Sequence, residues 1–172
     1  MAVLNRHHGY LFLSEPHIAS RAITTALLHH EGSLDIHQHG TLEQLQARDV
    51  SCDGLLKFSC IRHPCDWLVS HYLHLSSWHR AGFEAFLRYH LEHVFTGRTV
   101  FLHTRAVKKV LRYENLLPEL NALLRELGVP AVSLAKIGVT PYKQHWSKYY
   151  DDTTRRLVRS ALLDFDEFGY EV

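Results

Sequence analysis

Residues 55–72 of the chain read LLKFSCIRHPCDWLVSHY. The first seven of them, residues 55–61, form a short apolar run that is typical of a buried strand. Pro64 follows closely, and because proline suits the first turn of a helix, we expect a helix from Pro64 to about Ser76. A loop that leaves a buried strand and enters a helix presents backbone N–H groups and the positive end of the helix dipole. The stretch therefore predicts a strand, an anion-binding loop and a helix in direct succession.

Similar patterns flank this stretch on both sides. The apolar run 10–13 (YLFL) predicts a second strand, and residues 107–113 (VKKVLRY) predict a third. Helical spacing of apolar residues predicts helices from about Ser20 to Gly32, over residues 83–95, from Leu116 to Gly128, and from Asp151–Asp152 to about Leu163. Strands that alternate with helices indicate an α/β fold with a central parallel sheet flanked by helices, in one domain over residues 1–172. Such sheets bind ligands at the carboxyl ends of their strands.

Composition excludes several classes of function. The 172 residues carry a formal net charge of +1, so we expect no nucleic-acid partner. No apolar run approaches the ~18–20 residues that cross a bilayer, and the first residues do not resemble a secretory signal. The three cysteines form no even disulfide framework, which favours reduced thiols and a cytoplasmic location. The 15 histidines suggest a metal site, but none has a convincing ligand spacing, so we expect no metal.

The segment SEPHIASR at residues 14–21 links the first predicted strand to its helix. Its small residues Ala19 and Ser20 would let an anion approach the backbone, and Ser20 and Arg21 would add side-chain donors. The phosphate-loop pattern G-x-x-x-x-G-K-[ST] is absent, which disfavours an ATPase or a GTPase. The alternative interpretation is an ordinary N-capped helix.

The second junction contains a stronger signal. Arg62 lies just beyond the predicted strand, and Ser70 follows about two turns into the helix. The planar guanidinium of arginine matches phosphate, and Ser70 would supply a second donor on the same side. The alternative is a surface ion pair for Arg62 and a solvated Ser70.

Both junctions resemble motifs of one known family. FSCIRHPCDWLVSHY resembles the 3′-phosphate-binding motif of sulfotransferases that use 3′-phosphoadenosine-5′-phosphosulfate (PAPS), whose usual form is F-x-x-V-R-N-P-Y-D-R-L-V-S-x-Y. YLFLSEPHIASRAI resembles the 5′-phosphosulfate loop of that family. The later stretches VLRYENLLPELNALLRELGV and YYDDTTRRLVRSALLDFDEFGYEV resemble its late strand and helix and its C-terminal helix. The matching residues are Pro16, Ala19, Ser20, Arg21, Ala22, Ile23, Arg62, Pro64, Asp66, Leu68, Val69, Ser70 and Tyr72.

The sequence resembles a small, carbohydrate-type sulfotransferase of the bacterial or viral kind. This resemblance implies both a fold and a reaction. The fold would be the P-loop NTPase-like sandwich of that family, and PAPS would donate a sulfuryl group without a metal. Arg62 and Ser70 would bind the 3′-phosphate of the nucleotide. The acceptor would be a hydroxyl or amine of a small molecule or glycan. The 5′-phosphosulfate would be held by His17, Ile18, Ala19, Ser20, Arg21 and Ala22.

Two departures from the family pattern bear on catalysis. His17 stands where the family has a lysine that steadies the bridging oxygen as the leaving phosphate gains charge. A histidine acts in this way only when it is protonated or donates a neutral N–H, which predicts pH-dependent transfer, compensation by Arg21, or weak activity. Trp67 stands where the motif has a second arginine, and core packing and nucleotide contact remain open for it.

Two residues are candidates for the general base that takes the acceptor proton. His39, in the segment Asp35–Gly40 that re-enters the edge of the sheet, matches by position a base found in some carbohydrate sulfotransferases. Its alternative is a solvent-exposed histidine. Glu15 is the second candidate, because it lies beside the phosphosulfate loop. Glu114, after the third strand, is expected to be structural.

Two other functions remain open. In the first, the protein is a catalytically weak or inactive relative that binds the nucleotide and serves as a binding module. The replacement of the family lysine by His17 motivates this alternative. A small P-loop-type kinase is disfavoured because no Walker lysine follows the first strand. The sequence identifies neither the acceptor nor the oligomeric state.

Overall fold

The computed structural model describes residues 2–37, 41–48, 50–95, 98–137 and 143–172. Its strands are β1 (Ala2–Asn5), β2 (Tyr10–Leu13), β3 (Ser33–His37), β4 (Leu56–Ile61) and β5 (Lys109–Arg112). Its helices are α1 (Ser20–Leu28), α2 (Leu42–Gln46), α3 (Pro64–His74), α4 (Phe83–His93), α5 (Leu116–Glu126), α6 (Asp152–Ala161) and α7 (Asp164–Phe168). Short 3₁₀ turns lie at Ser76–Trp78, Thr104–Ala106, Tyr113–Asn115 and Trp146–Lys148. The fold class is α/β, as predicted.

The five strands form one open sheet in the order β3-β1-β2-β4-β5. Strand β2 pairs parallel with β4, and β4 pairs parallel with β5, so the three predicted strands are confirmed as parallel neighbours. The prediction of an entirely parallel sheet is wrong, because β1 pairs antiparallel with both β2 and β3. Only four residues, 6–9, separate β1 from β2, and so short a connection forces an antiparallel hairpin.

Helices cover both faces of this sheet. Leu11 and Leu13 of β2 belong to a buried apolar cluster with Leu45 of α2. Tyr10 alternates with Leu11 and therefore points to the other face, where its hydroxyl lies 3.2 Å from Nδ1 of His30, just beyond α1. The two faces of β2 are therefore covered by α2 on one side and by the end of α1 on the other.

The chain forms two compact units. The first comprises Met1–Ile61 and Leu102–Val139 and contains the sheet, α1, α2 and α5. The second comprises Arg62–Phe101 and Thr140–Val172 and contains α3, α4, α6 and α7. The prediction of a single domain over residues 1–172 stays a prediction.

The predicted helices agree with the structure to within a few residues, the last of them corresponding to α6, and the short α7 that follows it was not predicted. The apolar face of α4 contributes the buried side chains of Phe86 and Leu87 to the core of the second unit. In the portion of the chain that is described, no helix has the length and apolar character needed to cross a bilayer.

Candidate functional site

The first junction leads from β2 into α1 through a loop with an unusual backbone. His17 and Ala19 both adopt positive φ, at 60° and 47°. Ala19 is the N-cap residue that precedes α1, and among the described residues no side chain caps the helix there. Since the first N–H groups of a helix have no partner within the helix, they are left to other acceptors. The backbone at this junction can therefore donate to an anion, and the helix dipole favours negative charge at the same point.

The predicted anion-binding residues of this loop differ in exposure. Ile18 and Ala22 are buried in the apolar core, His17 is half-buried, and Arg21 is exposed. The hydroxyl of Ser20 is buried and donates to the backbone carbonyl of Glu15. Backbone amides and the two basic side chains, His17 and Arg21, therefore remain as the groups with which this loop can hold an anion.

Glu15 has a structural role in the first unit. Its side chain is buried, and its two carboxylate oxygens accept hydrogen bonds from the backbone N–H groups of Leu102, at 2.9 Å, and of His103, at 2.6 Å. These bonds fasten the loop after β2 to a segment more than 80 residues away in the chain. A carboxylate engaged in this way favours an anchoring role over the general-base role considered from the sequence.

The second junction carries a cluster of charged side chains. Nε of Arg62 donates to Oδ2 of Asp66 at 2.6 Å, and Nη1 of Arg62 donates to Oγ of Ser70 at 3.0 Å. The side chains of Arg62 and Asp66 are only 12% and 18% exposed, and Ser70 is buried. Arg62 is thus in an ion pair, as the alternative interpretation held, but a mostly buried one, and it lies within hydrogen-bond distance of Ser70.

Lys143 completes this cluster and was not identified from the sequence. Its ammonium pairs with the carboxylate of Asp66 and donates to Oγ of Ser70 at 2.9 Å. Burial lowers the pKa of Lys143, and the hydrogen bond to Asp66 acts in the opposite direction. Arg62 and Lys143 bring two positive charges and Asp66 one negative charge, so the cluster carries one positive charge in excess. We refer to Arg62, Asp66, Ser70 and Lys143 as the cationic cluster.

Trp67 packs in the aromatic core of the second unit. Its side chain is buried, with ring centroids 5.0 Å from His71 and 5.7 Å from Phe95. These contacts belong to the aromatic core of the second unit, which accounts for a large aromatic residue at this position of α3.

An open cleft of about 510 Å³ lies within the first unit, beside the start of α1. Its walls are Ala19 and Ala22, residues 113–118 after β5, and residues 134–137. Strands β2 and β5 both run parallel to β4, so the cleft opens at the carboxyl ends of the parallel strands. Its volume falls within the range of small-molecule sites, ~300–1,000 Å³. The sequence predicted ligand binding at this edge of the sheet, but the cleft itself was not predicted.

The other residues considered from the sequence are His39, Glu114 and the possible metal ligands. His39 lies outside the described residues, so its prediction as a base stays open. Glu114 lines the cleft, whereas the carboxylate that fastens the end of β5 is that of Glu119, which accepts from the backbone N–H of Arg112 at 2.7 Å. Across the described ranges, no group of three or more His, Cys, Asp or Glu side chains is arranged to hold a metal ion.

Comparisons of this chain with models of protein families, with curated proteins and with solved structures find no match.

Proposed function

We propose that this protein is a PAPS-dependent sulfotransferase, which moves a sulfuryl group from PAPS to a hydroxyl or amine acceptor, with carbohydrates among the candidate acceptors. The observation that carries the proposal is the cationic cluster. Arg62 and Ser70, which the motif resemblance assigns to the 3′-phosphate, lie 3.0 Å apart, and Lys143 adds a second cation at the same place. A mostly buried group with an excess positive charge favours an anionic ligand.

The proposed roles follow the chemistry of each junction. The cationic cluster binds the 3′-phosphate through charge-assisted hydrogen bonds. The amides at the start of α1, together with His17 and Arg21, bind the 5′-phosphosulfate. The cleft beside Ala19 takes the adenosine, because its volume suits a nucleoside and Tyr113 offers an aromatic ring for stacking. The relation to the P-loop NTPase-like fold is part of the same proposal.

In the transfer step, the acceptor oxygen or nitrogen attacks the sulfur in line with the bond to the bridging oxygen. A new bond to sulfur forms, the bond between sulfur and the bridging oxygen breaks, and its electron pair leaves on the 5′-phosphate. The acceptor proton passes to a base, for which His39 is the favoured candidate. Donors placed where charge develops on the leaving phosphate accelerate such a step, and positioning contributes the rest.

A second function is favoured by one specific observation. His17 replaces the lysine of the family motif and sits at positive φ in the loop. If His17 does not support the leaving phosphate, the protein binds the nucleotide without transferring sulfate and serves as a binding module.

Two measurements test the proposal in order. In a thermal-shift titration, adenosine 3′,5′-bisphosphate should raise the melting temperature by mass action, whereas ATP and adenosine 5′-monophosphate should raise it less. No shift with the bisphosphate would rule out both functions. Transfer of radiolabelled sulfate from PAPS to a panel of glycans, phenols and amines then separates the enzyme from the binding module.

The variants His17→Lys and His17→Ala make the transfer assay specific. With saturating PAPS, we expect wild-type transfer to decline as pH rises through neutrality and His17→Lys to flatten that decline. His17→Ala should lose transfer more than binding, because the interaction strengthens as the leaving phosphate gains charge. Identical pH profiles for wild type and His17→Ala would show that Arg21 and the loop amides carry the charge.

A further inference from the structure

His63 is a candidate for a role that the proposed function leaves unassigned. It caps α3, where its Nδ1 accepts a hydrogen bond from the backbone N–H of Cys65 at 3.2 Å. On the other side of the ring, Nε2 lies 2.6 Å from the backbone carbonyl oxygen of Glu171. Because an amide N–H only donates and a carbonyl only accepts, both bonds require the neutral ring with its proton on Nε2.

The same ring contacts two other segments of the second unit. It stacks on Trp146, with ring centroids 4.4 Å apart and planes 20° from parallel. It also meets the edge of Tyr170 at 5.1 Å. Trp146 lies three residues after Lys143, so the stack holds the segment that carries this cation.

A second anchor lies on the same turn of α3. The hydroxyl of Tyr150 is buried and donates to the carbonyl oxygen of Cys65 at 3.0 Å. The segment from Lys143 to Tyr150 is therefore fastened to the first turn of α3 through Trp146 and Tyr150, in addition to the contacts of Lys143 itself. The ring of His63 also contacts the C-terminal residues Tyr170 and Glu171.

We propose that His63 is a positioning residue for the cationic cluster, which joins the first turn of α3, the segment carrying Lys143 and the C-terminal Tyr170–Glu171. The proposal rests on the proposed function in that the cluster binds the 3′-phosphate of a nucleotide. His63 itself makes no bond to that phosphate. It holds Lys143 and the start of α3 in the arrangement that receives it, so that little ordering remains to be done when the ligand binds.

The variant His63→Asn separates the parts of this role. Asparagine is a good N-cap and keeps an acceptor for the first turn of α3, but it has no ring to stack on Trp146. His63→Ala removes the cap as well. His93→Ala is the matched control, because His93 is an exposed histidine near the end of α4, with 53% of its side chain accessible. Urea unfolding of each variant shows whether the fold is retained.

The binding experiment compares two ligands by calorimetry. For His63→Asn and His63→Ala we expect affinity for adenosine 3′,5′-bisphosphate to fall about tenfold, since side chains at a site must be reordered when pre-organisation is lost. Affinity for adenosine 5′-monophosphate, which lacks the 3′-phosphate, should change less than about twofold on the same grounds. His93→Ala should match wild type with both. Wild-type affinity for the bisphosphate in His63→Asn would overturn the proposal, and so would equal losses with both ligands.

A ligand-independent measurement distinguishes failure of this inference from failure of the proposed function. Nitrogen NMR of the His63 ring should report the neutral form with the proton on Nε2. In His63→Asn the pKa of Lys143, which burial lowers in the wild type, should rise toward its ordinary value as the segment loosens and hydrates. A proton on Nδ1, or an unchanged Lys143 titration in His63→Asn, would overturn the positioning role even if no nucleotide binds.

Discussion

The β2–α1 junction and the β4–α3 junction both lead from a parallel strand into a helix, and they differ in what stands at the start of that helix. At the first, the N-cap residue of α1 is Ala19 in the left-handed region, no side chain in the described part of the chain caps the helix, and the hydroxyl of Ser20 turns back to the loop. At the second, His63 caps α3 and Pro64 opens it. One junction offers backbone donors, and the other encloses charged side chains.

This difference predicts which kind of substitution should change ligand binding at each junction. Recognition through backbone amides depends on the conformation of the loop, so it responds to residues that tolerate or oppose positive φ. Recognition through Arg62 and Lys143 depends on charge and burial, so it responds to removal of one ionised group. Mutations of the two kinds can therefore test the two junctions separately.

The largest expected effect belongs to Arg62→Ala. Removing a charge-assisted hydrogen-bond donor should cost about 1.5–3 kcal/mol of binding to adenosine 3′,5′-bisphosphate. This corresponds to about 10–150-fold in the dissociation constant, measured by calorimetry.

Arg88→Ala is the matched control for that measurement. Arg88 forms an ion pair of the same spacing with Glu84, but both side chains are more than half exposed, at 56% and 55%. Exposed pairs of this kind contribute ~0–1 kcal/mol to stability, and we expect no change in nucleotide affinity. Equal affinities for Arg62→Ala and wild type would remove the cationic cluster from the site.

Glu15→Gln tests the anchoring of the first junction. The carboxylate accepts two backbone N–H groups, and an amide keeps only one acceptor oxygen and turns an NH₂ group toward the other N–H. We expect the free energy of unfolding to fall by about 1.5–3 kcal/mol. The same change at Glu43, an exposed carboxylate in the first turn of α2, should lower stability much less than Glu15→Gln does. A stable Glu15→Gln protein that has lost only transfer would instead support the general-base role.

The sequence predicted the frame of the fold and half of the second junction. Strands β2 and β4 are mainly apolar segments between polar or turn residues, and Pro64 marks the start of α3, so the alternation of strands and helices and the parallel direction of these strands could be predicted. Strand β1, AVLN, has only three apolar residues before Asn5, and so short a run does not distinguish a strand from a loop. The antiparallel half of the sheet was missed for that reason.

The rest of the site depends on contacts between residues far apart in the chain. Arg62 lies two residues before α3 and Ser70 lies within it, so the long side chain of Arg62 has only a short distance along the sequence to span. Lys143 reaches Asp66 across 77 residues, and Glu15 reaches His103 across 88. No local pattern encodes such pairs, and a single lysine in an irregular segment gives no signal.

Lys143→Met separates stability from function at the second junction. Burial lowers the pKa of Lys143, so the folded protein binds this proton less tightly than the unfolded chain does. Such a lysine penalises folding at neutral pH, and the penalty disappears as pH rises toward the ordinary lysine pKa of about 10.4. Asp66 keeps its pair with Arg62 when Lys143 is replaced.

We therefore expect Lys143→Met to unfold at the same or a higher urea concentration than wild type at pH 7, with a difference that shrinks toward pH 10. Affinity for adenosine 3′,5′-bisphosphate should fall about tenfold, the lower end of what is expected for one lost hydrogen bond to a charged group. A strongly destabilised Lys143→Met protein would show that the ammonium is needed for the fold rather than for the ligand.

The smallest effect is expected at the first junction, where Ala19→Gly tests the conformation on which its backbone donors depend. Ala19 adopts φ 47° and ψ 21°, a left-handed conformation that costs an L-residue ~1–2 kcal/mol and costs glycine almost nothing. Glycine also loses more freedom on folding, so the net gain in the free energy of unfolding should be about 0.5–1 kcal/mol. Ala22→Gly, the same substitution at a buried position inside α1, should instead lower stability by about 1 kcal/mol. Urea unfolding of the two variants should thus give changes of opposite sign. If Ala19→Gly destabilises the protein as Ala22→Gly does, Ala19 is not left-handed in solution, and the amides at the start of α1 are not arranged to receive an anion.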